Sequence, residues 1–166
     1  MSSTTLFVYG TLMRGLGNHG LLEKERFLGR ARTLHPFLLL HAGVPFVHPT
    51  LPSASPVQGE AYEVSPEALA RIDALEGHPD WYMRTPIEVI LFADGGAPQR
   101  TLTASIYFNA LVSHVPGPGI MVSDARVVPS GDFRELFASA PPPSPPPPPP
   151  PPPAVHGVSD GLELHR

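Results

Sequence analysis

The sequence predicts an α+β fold built on a curled or closed mixed sheet, and three observations predict it. Apolar and alternating runs of strand length recur between Leu6 and Phe108, and only one long segment, Ser65 to Gly77, carries a full set of helix signals. Strands and helices do not alternate in a βαβ rhythm, which argues against a doubly wound parallel sheet. Many strands with few helices to cover them bury their faces by curling the sheet on itself. The chain has 166 residues, 42% of them hydrophobic, which is material for one core. The domain is placed at residues 1–140 and a tail at 141–166.

The elements follow in order. Leu6 to Tyr9 is a short apolar run stopped by Gly10 and reads as a buried strand. Asn18 can cap a helical turn through Leu21, Leu22 and Glu25. Phe27 to Thr33 and Phe37 to His41 read as strands parted by Pro36, and the proline-spaced stretch Val44 to Pro56 as a long irregular connection. Val57 to Val64 is a strand in which Gly59 marks a bulge or a close approach to the backbone.

Ser65-Pro66-Glu67 supplies a capping side chain, a proline at the first helical position and an acid beside the positive end of the dipole. The helix is expected to bury Leu69, Ile72 and Leu75, and it stops at Gly77 before Pro79, so Glu76 ends it. Tyr82 to Phe92 and Thr101 to Phe108 form a hairpin through Asp94-Gly95-Gly96-Ala97-Pro98. On its second strand Leu102, Ala104, Ile106 and Phe108 share one face, and Thr103, Ser105, Tyr107 and Asn109 the other. Val115 to Ser130 reads as loop and Asp132 to Ala138 as a short helix.

From Pro141 the composition changes abruptly, with nine consecutive prolines from Pro145 to Pro153. Proline lacks an N–H and fixes φ, so this tail is expected to be a mobile, extended polyproline II segment. Residues 141–153 could dock on a polyproline-binding protein with an SH3-like, WW or profilin-type groove, or act as a spacer.

Composition narrows the function. A net charge of −4 with 11 Lys+Arg scattered along the chain gives no basic patch for nucleic acid. Zero cysteines exclude disulfides, thiol catalysis and thiolate metal sites, and fit a cytoplasmic protein. The N-terminus lacks signal-peptide regions and no apolar run approaches the ~20 residues of a membrane span. The histidines form no metal-ligand pair, and no dinucleotide, Walker or nucleophile-elbow motif is complete, so neither metal nor cofactor is expected.

Two segments carry chemistry. In Tyr9-Gly10-Thr11-Leu12-Met13-Arg14-Gly15, a strand runs into a glycine turn. Gly10 has the freedom to turn the chain sharply and aim the N–H groups of Gly10, Thr11 and Leu12 at one small anion such as a carboxylate. In Leu75-Glu76-Gly77-His78-Pro79-Asp80-Trp81-Tyr82-Met83-Arg84, a glutamate sits at the carbonyl end of a helix. The negative end of the dipole, and any dryness of the site, raise its proton affinity. That suits a base that takes a proton and returns it, although an exposed helix-end acid beside a stop signal has the same sequence. Tyr82 and Arg84 lie two apart on a strand, facing either a pocket or a packing and ion-pair partner.

This pair of segments resembles the γ-glutamylcyclotransferase superfamily, and within it the γ-glutamylamine cyclotransferases, also called AIG2-like proteins. The resemblance continues through Gly17-Asn18-His19, Gly59-Glu60-Ala61-Tyr62-Glu63-Val64 and Pro129-Ser130-Gly131-Asp132-Phe133. It implies a small mixed-sheet β-barrel with flanking short helices. It also implies Glu76 as catalytic acid/base and Tyr9, Gly10, Thr11 and Leu12 as the loop that binds a γ-glutamyl group. Tyr82, within the second segment, and Tyr107, at a barrel mouth, are further candidates for substrate binding, and Tyr107 or a loop N–H for the oxyanion. Asn18 and His19 would shape the substrate loop. The implied reaction releases 5-oxoproline and a free amine from a γ-glutamyl amine such as γ-glutamyl-ε-lysine. A cyclotransferase for γ-glutamyl amino acids and a non-catalytic ligand-binding or scaffold protein of the same fold are the alternatives. Val44 to Pro56 and Ser113 to Ser123 are expected to build the leaving-group side.

Overall fold

The structure, a computed structural model, describes residues 2–109 and 125–138. The proline tail, most of the expected 115–130 loop and the 113–123 part of the leaving-group side lie outside the described residues.

Eight strands form one sheet: β1 (Thr4–Val8), β2 (Arg26–Pro36), β3 (Leu38–His41), β4 (Pro45–His48), β5 (Pro56–Val64), β6 (Met83–Phe92), β7 (Pro98–Phe108) and β8 (Arg126–Val127). Their order is β1-β5-β2-β6-β7-β4-β3-β8, and a further parallel pairing of β1 with β7, Leu6 opposite Ser105, closes the first five into a barrel. This is the small mixed barrel that the sequence led us to expect. Strands β4, β3 and β8 continue from β7, where β4 joins in parallel at Val47 and Phe108.

The core fills the barrel with Leu6, Phe7, Tyr62, Leu91 and Ile106, none exposed by more than 2%, and extends over Phe46 and Val47. Gly59 is in register in β5, opposite Ala31. A Cβ there would lie 2.1 Å from the Val8 carbonyl oxygen and 2.8 Å from the Phe7 ring, so the close-approach reading holds and the bulge reading fails. The irregularities are on β2, where the register shifts between Phe27 and Gly29 and again between Arg32 and Pro36.

The long helix α1 (Pro66–Glu76) begins and ends where its signals put it. Ser65 Oγ accepts the Ala68 N–H, and Gly77, at φ 64°, closes the last turn by donating to Asp73 and Ala74 carbonyls. Glu25 fixes the start further by accepting both the N–H (2.7 Å) and the hydroxyl (3.0 Å) of Ser65. Its buried face is Ala68 and Ile72 with Leu69 partly covered, but Leu75 is 45% exposed, contrary to expectation. A residue so close to the helix end has already passed the edge of the barrel. The second helix, α2 (Glu135–Ala138), is one turn.

Three expectations need correction. The connection Val44 to Pro56 is not wholly irregular, because Pro45–His48 pairs with β3 and β7. The described end of the expected loop contains β8, paired with β3. Asn18 makes no side-chain cap on the 3₁₀ turn His19–Leu22; its amide is used elsewhere.

Candidate active site

The segment after β1 turns at Gly10 to Met13, where the Met13 N–H donates to the Gly10 carbonyl (3.0 Å). Among the described residues no protein acceptor takes the N–H of Gly10, Thr11 or Leu12. The loop is held from behind. Asn18 donates its side-chain amide to Thr11 Oγ1 (2.8 Å) and its N–H to the Thr11 carbonyl (2.9 Å), and His19 Nδ1 lies 3.0 Å from the Leu12 carbonyl. Glu60, buried in β5, accepts the Arg14 N–H (3.0 Å) and the Tyr62 hydroxyl (2.8 Å) and ties down the loop's far end.

Gly10 is needed for a different reason from the one the sequence suggested. Its φ is not positive. Instead, a Cβ at this position would fall 2.5 Å from Cγ of Pro45, so the glycine lets β4 close over the loop.

The second segment leaves α1 through a tight reversal. The Trp81 N–H donates to the Gly77 carbonyl (2.8 Å) and the Tyr82 N–H to the Glu76 carbonyl (3.2 Å), which sets Tyr82 beside the glutamate. Asp73, one turn before Glu76, accepts two hydrogen bonds from Arg84 (2.9 and 3.0 Å) and one from the Tyr107 hydroxyl. This bolts the end of α1 to β6 and β7. Burial works against the charge on Asp73, but the Arg84 and Tyr107 hydrogen bonds and the guanidinium charge hold its carboxyl below the usual range. Sequence reasoning missed Asp73, although its spacing of three from Glu76 puts both on one helix face.

Both segments meet at one cavity of about 200 Å³, lined by Tyr9, Gly10, Thr11, Leu12, Glu76, Tyr82 and Tyr107 and also by Asn18, Val44, Pro45, Leu75 and Trp81. The candidates Glu76, Tyr9, Gly10, Thr11, Leu12, Tyr82 and Tyr107 are all in that wall, while Arg84 is not and takes the ion-pair alternative with Asp73. Val44 and Pro45 begin the stretch expected to build the leaving-group side, whereas Trp81, although inside the second segment, carries no role readable from the sequence. The volume is below the ~300 Å³ where clefts for drug-sized ligands begin, and suits a group the size of one amino acid.

The three cavity tyrosines have committed hydroxyl protons. Tyr9 donates to the Tyr107 carbonyl (2.6 Å), Tyr82 to the Pro45 carbonyl (2.7 Å) and Tyr107 to Asp73. The Tyr107 hydroxyl is therefore not a free oxyanion donor, and loop N–H groups remain. Burial raises the pKa of all three tyrosines, and the Glu76 charge adds to this. Glu76 is different: burial pushes its carboxyl from 4.5 up to about 7, and no protein hydrogen bond opposes the shift. Burial is one of the two causes foreseen from the sequence. Among the described residues lining the cavity, Glu76 alone changes charge near neutrality.

The structure is thus a small barrel that brings a buried carboxyl and a glycine turn into the wall of one cavity. Residues 6–135 match the family described as "Gamma-glutamyl cyclotransferase, AIG2-like", and the chain belongs to that family. It is 34% identical over 131 residues to a provisionally named gamma-glutamylcyclotransferase of Methanocaldococcus jannaschii, covering 78% of this chain and 95% of the other. It is 35% identical over 115 residues to gamma-glutamylaminecyclotransferase C of Danio rerio, covering 64% and 76% respectively. Among solved structures, a mouse AIG2-like protein superimposes with a TM-score of 0.60 at 30% identity, covering 68% of this chain and 81% of that one.

Proposed function

We propose that the protein is a cyclotransferase that converts a γ-glutamyl amine to 5-oxoproline and the free amine. The observation that carries this reading is the Glu76 carboxyl, pushed up to about 7 by burial, in the wall of the same cavity as the turn of Gly10, Thr11 and Leu12. A γ-glutamyl compound contains its own nucleophile. Seated with its α-carboxylate on Gly10, Thr11 and Leu12, the substrate folds back so that the α-amine meets the γ-carbonyl. Glu76 takes one proton from the attacking ammonium, the new C–N bond closes the ring, the ring nitrogen gives up a second proton as the old C–N bond breaks, and both protons end on the departing amine, which leaves as an ammonium. Electron pairs and protons balance without an outside reactant. Loop N–H groups are the available donors for the oxyanion.

Within this reaction class we assign the amine branch, with γ-glutamyl-ε-lysine as the first substrate to try. The name of the Danio rerio relative favours it over γ-glutamyl amino acids. Cysteine-free composition agrees with a cytoplasmic setting.

The test is 5-oxoproline release, followed by mass spectrometry, from γ-glutamyl-ε-lysine, γ-glutamyl amino acids and glutathione, with Glu76→Gln alongside. The amide keeps the shape of the side chain and cannot take the proton, so turnover should fall by about 10²–10⁴-fold while the substrate still binds. Unchanged turnover in the variant removes Glu76 from the chemistry. Binding without turnover in the native protein supports the non-catalytic alternative.

A further inference from the structure

The cavity wall divides by exposure. Tyr9, Leu12, Tyr82 and Tyr107 are each at most 5% exposed, whereas Val44 (43%), Leu75 (45%) and Trp81 (42%) stand open to solvent and form its rim. The unpaired N–H groups lie in the loop and Glu76 lies next to Leu75. A glutamyl group anchored on the loop therefore sends its leaving nitrogen past Glu76 toward that rim.

The rim is apolar, and among the described lining residues Glu76 carries the one formal charge. Trp81 is held firmly at its base. Its N–H bonds to Gly77, its Cβ packs on the Gly77 Cα so closely that a Cβ there would be 3.0 Å away, and its ring meets Tyr82 edge-on with centroids 6.4 Å apart. An indole so fixed, with more than two-fifths of the residue in water, is a preformed contact surface.

Resting on the cyclotransferase reading, the geometry points to an apolar collar of Val44, Leu75 and Trp81 that receives the substituent of the departing amine. It selects uncharged alkyl and arylalkyl amines, and Trp81 is the specificity-determining side chain. An α-amino-acid leaving group carries a carboxylate on the carbon bonded to the scissile nitrogen. That charge would sit against the collar and next to the carboxylate of Glu76, where desolvation and like-charge repulsion both oppose it. An alkyl or arylalkyl group has only favourable burial there. Lysine attached through its side chain fits less fully, because its methylenes cross the collar and its charges lie beyond.

The experiment compares kcat/KM for γ-glutamylphenethylamine, γ-glutamylmethylamine, γ-glutamyl-ε-lysine and γ-glutamylalanine in the native protein, Trp81→Ala and Trp81→Phe. The phenethylamine substrate should exceed the alanine one by about tenfold or more, and its advantage over the methylamine one should shrink by about tenfold in Trp81→Ala and largely return in Trp81→Phe. A preference for γ-glutamylalanine, or a ratio unmoved by Trp81→Ala, overturns the collar. Trp81 is also the one tryptophan of the chain, so its fluorescence reads occupancy without turnover. In Glu76→Gln it should change saturably with γ-glutamylphenethylamine and much less with γ-glutamylmethylamine. If no substrate releases 5-oxoproline, the cyclotransferase reading fails, and the same titration of the native protein still decides the collar. Fluorescence that follows protein concentration and not ligand would assign Trp81 to contact between copies and reject the proposal.

Discussion

Glu76 ionises near neutrality because burial, without a hydrogen-bonding partner, disfavours its charge. Two consequences differ in sign. As a base it works deprotonated, so kcat/KM should rise with pH through about 7 and level off above, and a pH–rate profile measures this. For stability, the folded state holds the proton more tightly than the unfolded chain. The contribution is full below pH 4.5, where the unfolded carboxyl is still protonated, and is lost as pH rises to about 7. Glu76→Gln has no such loss, so thermal melts at pH 8.5 should find it more stable than the native protein by roughly 2 kcal/mol, with the gap closing below pH 4.5. Gly10→Ala is the opposite case. Its methyl group meets Pro45 at 2.5 Å, and we expect a loss of about 1–3 kcal/mol with a larger proportional loss of kcat/KM, because the loop must move to make room. The sequence singled out Gly10 for its backbone freedom and not for this close approach, since Pro45 is its neighbour only after β4 folds back.

At the scale of elements, the end of α1 is positioned by Asp73, and magnitudes separate this contact from ordinary surface pairs. Arg26 and Glu63 are 3.5 Å apart with side chains 77% and 40% exposed. Arg26→Ala should change stability by less than about 0.5 kcal/mol. Asp73→Asn leaves both the Arg84 guanidinium and the Tyr107 hydroxyl poorly satisfied where they are partly buried, and should cost about 1–3 kcal/mol in denaturant melts. It should also lower kcat more than it raises KM, because the helix end carrying Glu76 loses its fixing on β6 and β7. The elements legible in the sequence were those with local causes. Ser65-Pro66-Glu67 and Gly77 bound α1 by capping alone, and Asp94-Gly95-Gly96 turns the β6–β7 hairpin with Gly95 and Gly96 both at positive φ. Strands β4 and β8, four and two residues long, were missed because partners far along the chain define them.

At the scale of the molecule, composition and pattern left a curled and a closed mixed sheet both open, and the family resemblance pointed to the barrel, which the parallel pairing of β1 with β7 closes. The tail is the remaining question of scale. We propose residues 141–153 as a docking segment for a polyproline-binding partner, separate from the chemistry. Truncation after Ala140 should then leave kinetics and melting temperature unchanged, and a lower melting temperature would show that the tail packs on the domain.

The hydrogen bond from the Tyr9 hydroxyl to the Tyr107 carbonyl joins residues 98 apart in sequence. The turn after β1 thus has its supporting partner most of the domain further along the chain. The Asp73–Arg84 pair, 11 residues apart, is more local. During refolding, activity should therefore be the last signal to recover, lagging the helical signal of α1. If the cyclotransferase reading holds, recovery of turnover reports that β1 has met β7.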